Sequence, residues 1–394
     1  MDLFRFEVQK LFLNKRTLAI ILACLLISFI TGAITMVGLK NNSGDFSKLT
    51  ALIREHEGAV NPLLAAEADG DVSRLQALRT TDPEAFAGEA PWYVTFQYMY
   101  ANAGNMVQNF REGSERENPE RPYSINRLKA YLERHSNERG SYDYINAGLN
   151  LRMKLEAGEP GFYNVLVWDE IFGFFNGGGT AFLVLLLAIV AAPVFSGETA
   201  SGMDSVILSS KLGRRKVVTA KLAAAGVFAT VWTACFFILN PAVYFVFSGG
   251  LEGFDKPLNS IFMFHLSPYG GLTILSYLLI SAGLAWLACL TCSAAAALIS
   301  ATQRASLPAF GIILALVLLP QLLDTPGMRS VLWPIIDFGL MRIAQGGPVF
   351  SGYKAYNVLG NPVLYPAAAV IILAVLCIVT VRLTYFAYRR KNAI

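Results

Sequence analysis

The chain has 394 residues, 54% of them hydrophobic and only 15% charged, with a net charge of +4. Soluble domains carry about 25% charged residues, so this composition argues against a soluble domain and for a membrane protein. The 18 acids and 13 bases between Asn41 and Val167 leave that segment at −5 and the remainder at +9; the basic excess sits in the apolar part, where it signals topology, not nucleic-acid binding.

Residues 1–16 read as a short amphipathic helix. Phe4, Val8, Leu11 and Phe12 share a face, with Arg5, Gln9 and Lys10 away from it, the pattern of a helix lying in a membrane interface. Residues 17–40 are the first expected transmembrane helix: Leu18–Leu39 is too long for the apolar core of a signal peptide and lacks a small-x-small cleavage site.

Residues 41–167 form the largest polar segment and read as a mostly helical domain. Leu49, Leu52, Ile53 and His56 have helical spacing, and Asp71–Leu75 opens a further helix-like run. Trp92, Phe96 and Tyr100 stack at i, i+4, i+8, although the run Trp92–Tyr100 also alternates as a strand would. A helix is expected because no strong turn signal follows. These aromatics fit a small domain core. Arg111–Pro122 is charged and proline-containing and reads as an exposed loop; Ser124–His135 and Tyr142–Leu155 read as helices.

Residues 168–394 hold five further apolar segments, Ile171–Phe195, Val217–Phe247, Gly270–Leu290, Ala305–Leu323 and Pro362–Tyr385. With the first helix they predict an all-α membrane protein of six transmembrane helices. No Asp, Glu or Lys lies well inside these runs. A charge there costs about 2.5–3.5 kcal/mol or more and would mark an ion relay, so a proton-coupled carrier is disfavoured. Gly177–Gly179, Pro193 and Asn240-Pro241 mark hinges, broken helices or close packing.

With the amino terminus inside, the short inner segments hold 14 bases and 4 acids, and the short outer loops 4 of each. The bias places both termini in the cytoplasm and the 41–167 domain outside. The five cysteines all lie in apolar runs, so no disulfide framework is implied. Cys289 and Cys292 have CxxC spacing but no second pair and no nearby histidine, which reads as packed thiols; no metal site is expected. His56, His135 and His265 are scattered, without the partners acid–base catalysis requires, so no catalytic residue is assigned.

The segment 196–221 then stands out as a polar, basic loop between two apolar runs. It carries Glu198, Gly202, an apolar patch at Val206, Ile207 and Leu208, then Leu212, Gly213, Arg214, Arg215, Lys216 and Lys221. Positive-inside bias accounts for an arginine cluster, but an acid at the inner end of a span has no topological value; a salt bridge with Lys221 or an arginine is its plain structural role. No lysine in the chain is followed by Ser or Thr, so a GxxxxGK[ST] phosphate loop is absent, and Val60 stands where an HExxH motif would need its second histidine. A polytopic chain with a basic inner loop and no phosphate loop reads as a pore subunit driven by another protein.

Glu198, Gly202, Leu208, Leu212-Gly213-Arg214-Arg215 and Lys221, between two apolar helices, resemble the signature loop of type-2 ABC exporter permeases. The plan of interfacial helix, six spans and inward termini is similar too. Two features depart from the family pattern: Lys211 where many members have proline, and a whole domain as the first outer loop. The resemblance implies a bacterial plasma-membrane permease that works as a dimer with a second permease copy and two cytoplasmic ATP-binding-cassette subunits. ATP and Mg would sit on the partner subunits, with no cofactor in this chain. Glu198 would be a coupling or gating residue, and 196–221 would carry a coupling helix. Val206, Ile207, Leu208 and Leu212 offer an apolar face for a groove, while Arg214, Arg215 and Lys216 pair with acids or lipid phosphates. The apolar spans favour an amphipathic or hydrophobic cargo such as a peptide, antibiotic or lipid. The rival readings are a polytopic sensor or immunity protein whose outer domain binds a ligand, and a membrane-embedded enzyme, for which no catalytic constellation is present.

Overall fold

The computed structural model describes residues 3–115, 117–203, 213–250 and 252–390. Among them helices dominate, with two short antiparallel ribbons. Helix α1 (Leu3–Phe12) and helix α2 (Lys15–Ser43) meet at Asn14, whose side chain caps α2 by accepting from the Arg16 amide at 3.0 Å. The expected apolar face of α1 is corrected. Leu11 and Phe12 pack inward, but Phe4 is exposed and Glu7 is buried beside them.

The polar domain is built from α3 (Phe46–Glu55), α4 (Pro62–Thr81), α5 (Pro83–Gly88), α6 (Pro91–Arg111), α7 (Ile125–Arg134) and α8 (Tyr142–Ala157). Asn61-Pro62 and Asp82-Pro83 start α4 and α5: the side chain caps, and proline sits where an amide would be unpaired anyway. Asp71–Leu75, expected to open a helix, therefore lies in the middle of α4. The aromatic run is helical: Phe96 and Tyr100 are buried in the core with Leu49, Ile53 and Phe162. His56 caps α3 and packs 5.2 Å from the Phe96 ring. Strands β1 (Gly58–Ala59) and β2 (Gly161–Phe162) close the domain, with Gly58 opposite Phe162.

Among the described residues, five helical stretches are long and apolar enough to cross a membrane: Lys15–Ser43, Leu166–Ala200, Arg215–Ser248, Ile274–Thr302 and Tyr365–Arg390. The second stretch is composite. It comprises α9 (Leu166–Phe174), a π-helical turn (Phe175–Gly179), α10 (Thr180–Ala191) and α11 (Pro193–Ala200). Gly177 has non-helical φ/ψ of −84° and −125°, so the glycine triplet is a break. Side chains satisfy the carbonyls there: Asn176 donates to Phe172 O at 2.7 Å, Thr180 to Phe175 O at 3.1 Å and Gln345 to Asn176 O at 3.0 Å. The next helix, α12 (Gly213–Ser248), runs through Asn240-Pro241 without interruption, so of the readings open there a broken helix does not hold. Asn240 folds back to donate to Phe236 O at 2.8 Å.

At the centre lies α13 (Ile274–Thr302), whose buried face is rich in alanine and carries Cys289 and Cys292. Small side chains let α12 and the last helix, α18 (Tyr365–Arg390), approach it closely. The segment expected as the fifth of six spans is α14 (Ser306–Leu322), apolar but only 17 residues. At 1.5 Å per residue it is about 25 Å long, short of the roughly 30 Å of a bilayer core. The stretch after it is not a plain loop. It folds as α15 (Pro326–Asp337), α16 (Leu340–Gln345), α17 (Gly347–Phe350) and a hairpin of β3 (Ala355–Val358) with β4 (Asn361–Leu364). Leu359 and Gly360 both have positive φ, as a two-residue primed turn requires.

The polar domain is tied to the bundle by polar contacts. Lys256 pairs with Glu57 at 3.1 Å and Arg54 pairs with Glu252, whose carbonyl accepts from Trp168 of α9 at 2.7 Å. Lys154 of α8 is fully buried; its Nζ donates to Leu266 O at 2.8 Å and lies 4.6 Å from the Phe110 ring centre. Burial pushes its pKa down to about 8, with Glu117 opposing. Because this base is depressed on folding, the unfolded chain binds more protons between about pH 8 and the ordinary lysine value of about 10.4. Stability is therefore expected to rise with pH across that window. Thermal unfolding of the detergent-purified chain from pH 7.5 to 10 tests this; Lys154→Met should flatten the rise, and an identical slope in the variant would refute it.

Candidate functional site

The candidate site is at the end of the bundle away from the polar domain, where α1, α11 and α12 meet. Its local geometry starts from Pro193. Proline interrupts the ladder between α10 and α11 and leaves the first amides of α11 without carbonyl partners. Ser300 of α13 takes their place: its hydroxyl accepts from the amides of Phe195 and Ser196 at 3.0 and 2.9 Å and donates to Ala192 O at 2.6 Å. This fixes the direction of α11 and the placement of Glu198. The helix stops at Gly202, whose φ of +72° suits glycine.

Lys221, in α12, has a fully buried side chain that reaches this helix. Its Nζ lies 2.6 Å from Glu198 Oε1, 2.9 Å from Val194 O and 3.3 Å from the Glu7 carboxylate. An ammonium has three protons, and these three acceptors use them all. Lys10 of α1 donates to the same Glu198 oxygen at 2.8 Å. Two acids and two bases thus join α1, α11 and α12 in a charge-balanced cluster. The ring of Phe195 lies 5.6 Å from the same ammonium.

Beside the cluster is a cavity of about 760 Å³. Its apolar walls include Leu11, Ile20, Val190, Leu307 and Phe310, and Lys10, Arg16 and Glu198 stand at its polar end. This is an amphipathic space, between the elbow of α1 and α2 on one side and α10, α11 and α14 on the other.

The expected coupling residues distribute as follows. Glu198 and Lys221, 23 positions apart, meet directly. Gly202 ends α11, and Gly213 and Arg214 lie in the first turn of α12. Arg215 and Lys216 are exposed on that turn. Val206, Ile207, Leu208 and Leu212 lie outside the described residues. The expectation of a loop over 196–221 is corrected at both ends: Ser196–Ala200 is helical, and Lys221 is two turns inside α12. Sequence reasoning missed Glu7 and Lys10. The available signal was Glu7 and Leu11 at i, i+4, which puts an acid on the face that packs inward.

A second cluster was missed on the polar-domain side. Asp337, fully buried, pairs with Arg329 at 3.2 Å and with Lys354, and accepts from Tyr356 at 3.2 Å. Asp324 pairs with Arg329 at 2.7 Å and with Arg342. Read in sequence, these were loop charges of balanced sign.

Removing one partner of a buried pair strands the other charge, at a cost of about 3–5 kcal/mol. Lys221→Met is therefore expected to destabilise the chain by about 3 kcal/mol, because Glu7 and Glu198 lose their shared cation. The triple variant Glu7→Gln/Glu198→Gln/Lys221→Met should recover most of the loss. Denaturant unfolding in detergent measures both; equal stability of Lys221→Met and the native chain would show that the cluster contributes nothing.

A family model described as "ABC-2 family transporter protein" matches residues 1–393. No curated protein and no solved structure matches the chain. Members of this family are membrane transport components, not themselves catalytic, and generally work with ATP-binding-cassette subunits. The match covers α1, every apolar helix and the polar domain together, and the chain belongs to the ABC-2 transporter family as a multi-pass membrane permease.

Proposed function

We propose that this permease is the membrane subunit of an ATP-driven exporter of the bacterial plasma membrane, with six crossings, both termini cytoplasmic and residues 41–167 outside. The observation that carries the proposal is the cluster of Glu7, Lys10, Glu198 and Lys221. It locks the first helix, the end of the second crossing and the start of the third at the two edges of the 201–212 connection. A force applied to that connection by an ATPase reaches three helices at once. Family membership supports the ATP-binding-cassette partner, and the positive-inside bias supports the orientation. The short apolar α14 is the fifth of the six crossings in this reading, its 17 residues being shorter than a bilayer core and met by local thinning or by its flanking residues.

In this reading two copies of the permease bind two cytoplasmic ATPase subunits, and nucleotide binding shifts the dimer between inward- and outward-open states. Residues 206–212 dock in the ATPase groove, with Arg215 and Lys216 at its rim or on lipid phosphates. Glu198 and Lys221 transmit the movement instead of touching the ATPase. The apolar cavity with a charged end supports an amphipathic cargo.

Two experiments test this. The chain is expected to co-purify with an ATP-binding-cassette subunit. Leu212→Asp and the exposed pair Arg215→Glu/Lys216→Glu should each reduce ATPase association and export by about tenfold or more, as charge reversal or burial of a charge at an interface does. Unchanged association and export in both variants would remove the coupling assignment. For orientation, a cysteine placed at exposed Asn137 in a cysteine-free background should react with an impermeant maleimide on intact cells. Reaction only after lysis would invert the topology.

A further inference from the structure

A cavity of about 430 Å³ lies where the polar domain meets the segment before the β3–β4 hairpin. Its walls come from chain regions far apart: the loop 120–123, helices α7 and α8, and residues 353–355. Four tyrosines line it, Tyr123, Tyr131, Tyr142 and Tyr353. Three of their hydroxyls are already committed. Tyr353 donates to Asn146 Oδ1 at 2.7 Å, Tyr142 donates to Ala355 O at 3.3 Å, and Tyr123 bonds Ser114 Oγ at 3.0 Å. What these side chains leave for a ligand is chiefly ring surface, although one face of Tyr131 is stacked on the His135 ring at 4.1 Å. Leu128 and Ala147, with buried Tyr131, add an apolar floor.

Two acids, Glu120 and Asp143, and two bases, Arg121 and Lys354, stand in the walls. The bases do not cover the acids: Lys354 is turned to Asp337, which it shares with Arg329, and among the described residues neither Glu120 nor Asp143 has a basic partner. The field is felt inside: the Tyr131 hydroxyl is raised above its ordinary pKa by burial and then by Asp143 and Glu120, and Tyr142 by burial and then by Asp143. Asn150, 4% exposed, lines the same cavity, and its Oδ1 has no hydrogen-bond partner. Aromatic ring faces, unpaired carboxylates and a spare amide oxygen are complementary to positive charge on an apolar body.

We propose that this cavity is a binding site for a cationic ligand with an apolar body, of the amine or quaternary-ammonium class. The site is separate from the cluster of Glu198 and Lys221 and does not depend on the export reading. The cation sits against Tyr131 and Tyr142 with Asp143 and Glu120 as counter-charges. Because residues 353–355 supply one wall, an occupied site also fastens the polar domain to the segment that carries Lys354.

Isothermal titration of the full-length, detergent-purified chain tests the assignment with two probes of matched shape, benzyltrimethylammonium and 3-phenylpropionate. The cation is expected to bind at one site per chain and the anion not to bind. Asp143→Asn, which alters an exposed carboxylate, is expected to weaken the cation about threefold, and Tyr131→Leu about tenfold. Failure of the cation to bind, equal binding of the anion, or undiminished cation binding by Asp143→Asn would overturn the proposal. Asp143→Asn decides the matter alone if Tyr131→Leu fails to fold.

Discussion

The structure depends most on how the ammonium of Lys221 is accommodated. A lysine with no solvent-exposed side-chain surface is costly unless it is paired and fully hydrogen-bonded. Here its three protons meet Glu198, Glu7 and the Val194 carbonyl. Each acceptor lies on a different element or at a different turn from the others, so one cation sets the relative positions of α1, α11 and α12. Replacing the set by apolar residues of similar volume can be neutral or stabilising in general. What an apolar set cannot supply is register: the pairing is satisfied only when all three helices are in one arrangement.

Backbone chemistry imposes the same discipline along the second crossing. In hydrocarbon an unpaired carbonyl has no water to turn to. The chain nevertheless interrupts this helix twice, at Gly177 and at Pro193. Each interruption is covered by side chains, Asn176, Thr180 and Gln345 at the first and Ser300 at the second. Gln345 belongs to α16 and Ser300 to α13, so the repairs are also cross-links. Asn240 shows the milder case: α12 continues through Pro241, and the side chain before the proline donates one turn back to Phe236 O.

Much of this was legible in the residues. Apolar length locates the helices, and the capping pair Asn61-Pro62 is a stronger mark of the start of α4 than the Asp71–Leu75 spacing. The aromatic run at Trp92 was ambiguous by period and was resolved by its continuation. Glu198 was recognisable because an acid at that end of a span has no topological use. Its partners were harder. Lys221 was one of several bases within 23 positions, with Arg214 and Arg215 nearer, whereas Lys10 and Glu7 lie about 190 residues away, and no local spacing relates α1 to α11. Asp337 was illegible for the same reason. Its charge is balanced by Arg329 and Lys354 only after α15 and the hairpin fold back, and in sequence those charges merely cancel.

The two ion clusters bracket the second crossing in different ways, and this bears on how it can move. At one end Glu198 is held by Lys10 and Lys221 within α11 itself. At the other, α9 is held through Trp168 and the Glu252 carbonyl, while the Asp337 cluster reaches the crossing only through α16 and Gln345, at the Gly177 break. A displacement of α1, α11 and α12 as a unit keeps every contact of the Lys221 ammonium, and keeps the Ser300 bonds to α11 when α13 moves with them. The strain then falls on the non-helical φ/ψ at Gly177, where no side chain restricts the backbone. The half of the crossing joined to the polar domain can stay in place. A helix broken by glycine between two firmly held ends is thus the arrangement in which movement at one membrane face need not be matched by movement at the other.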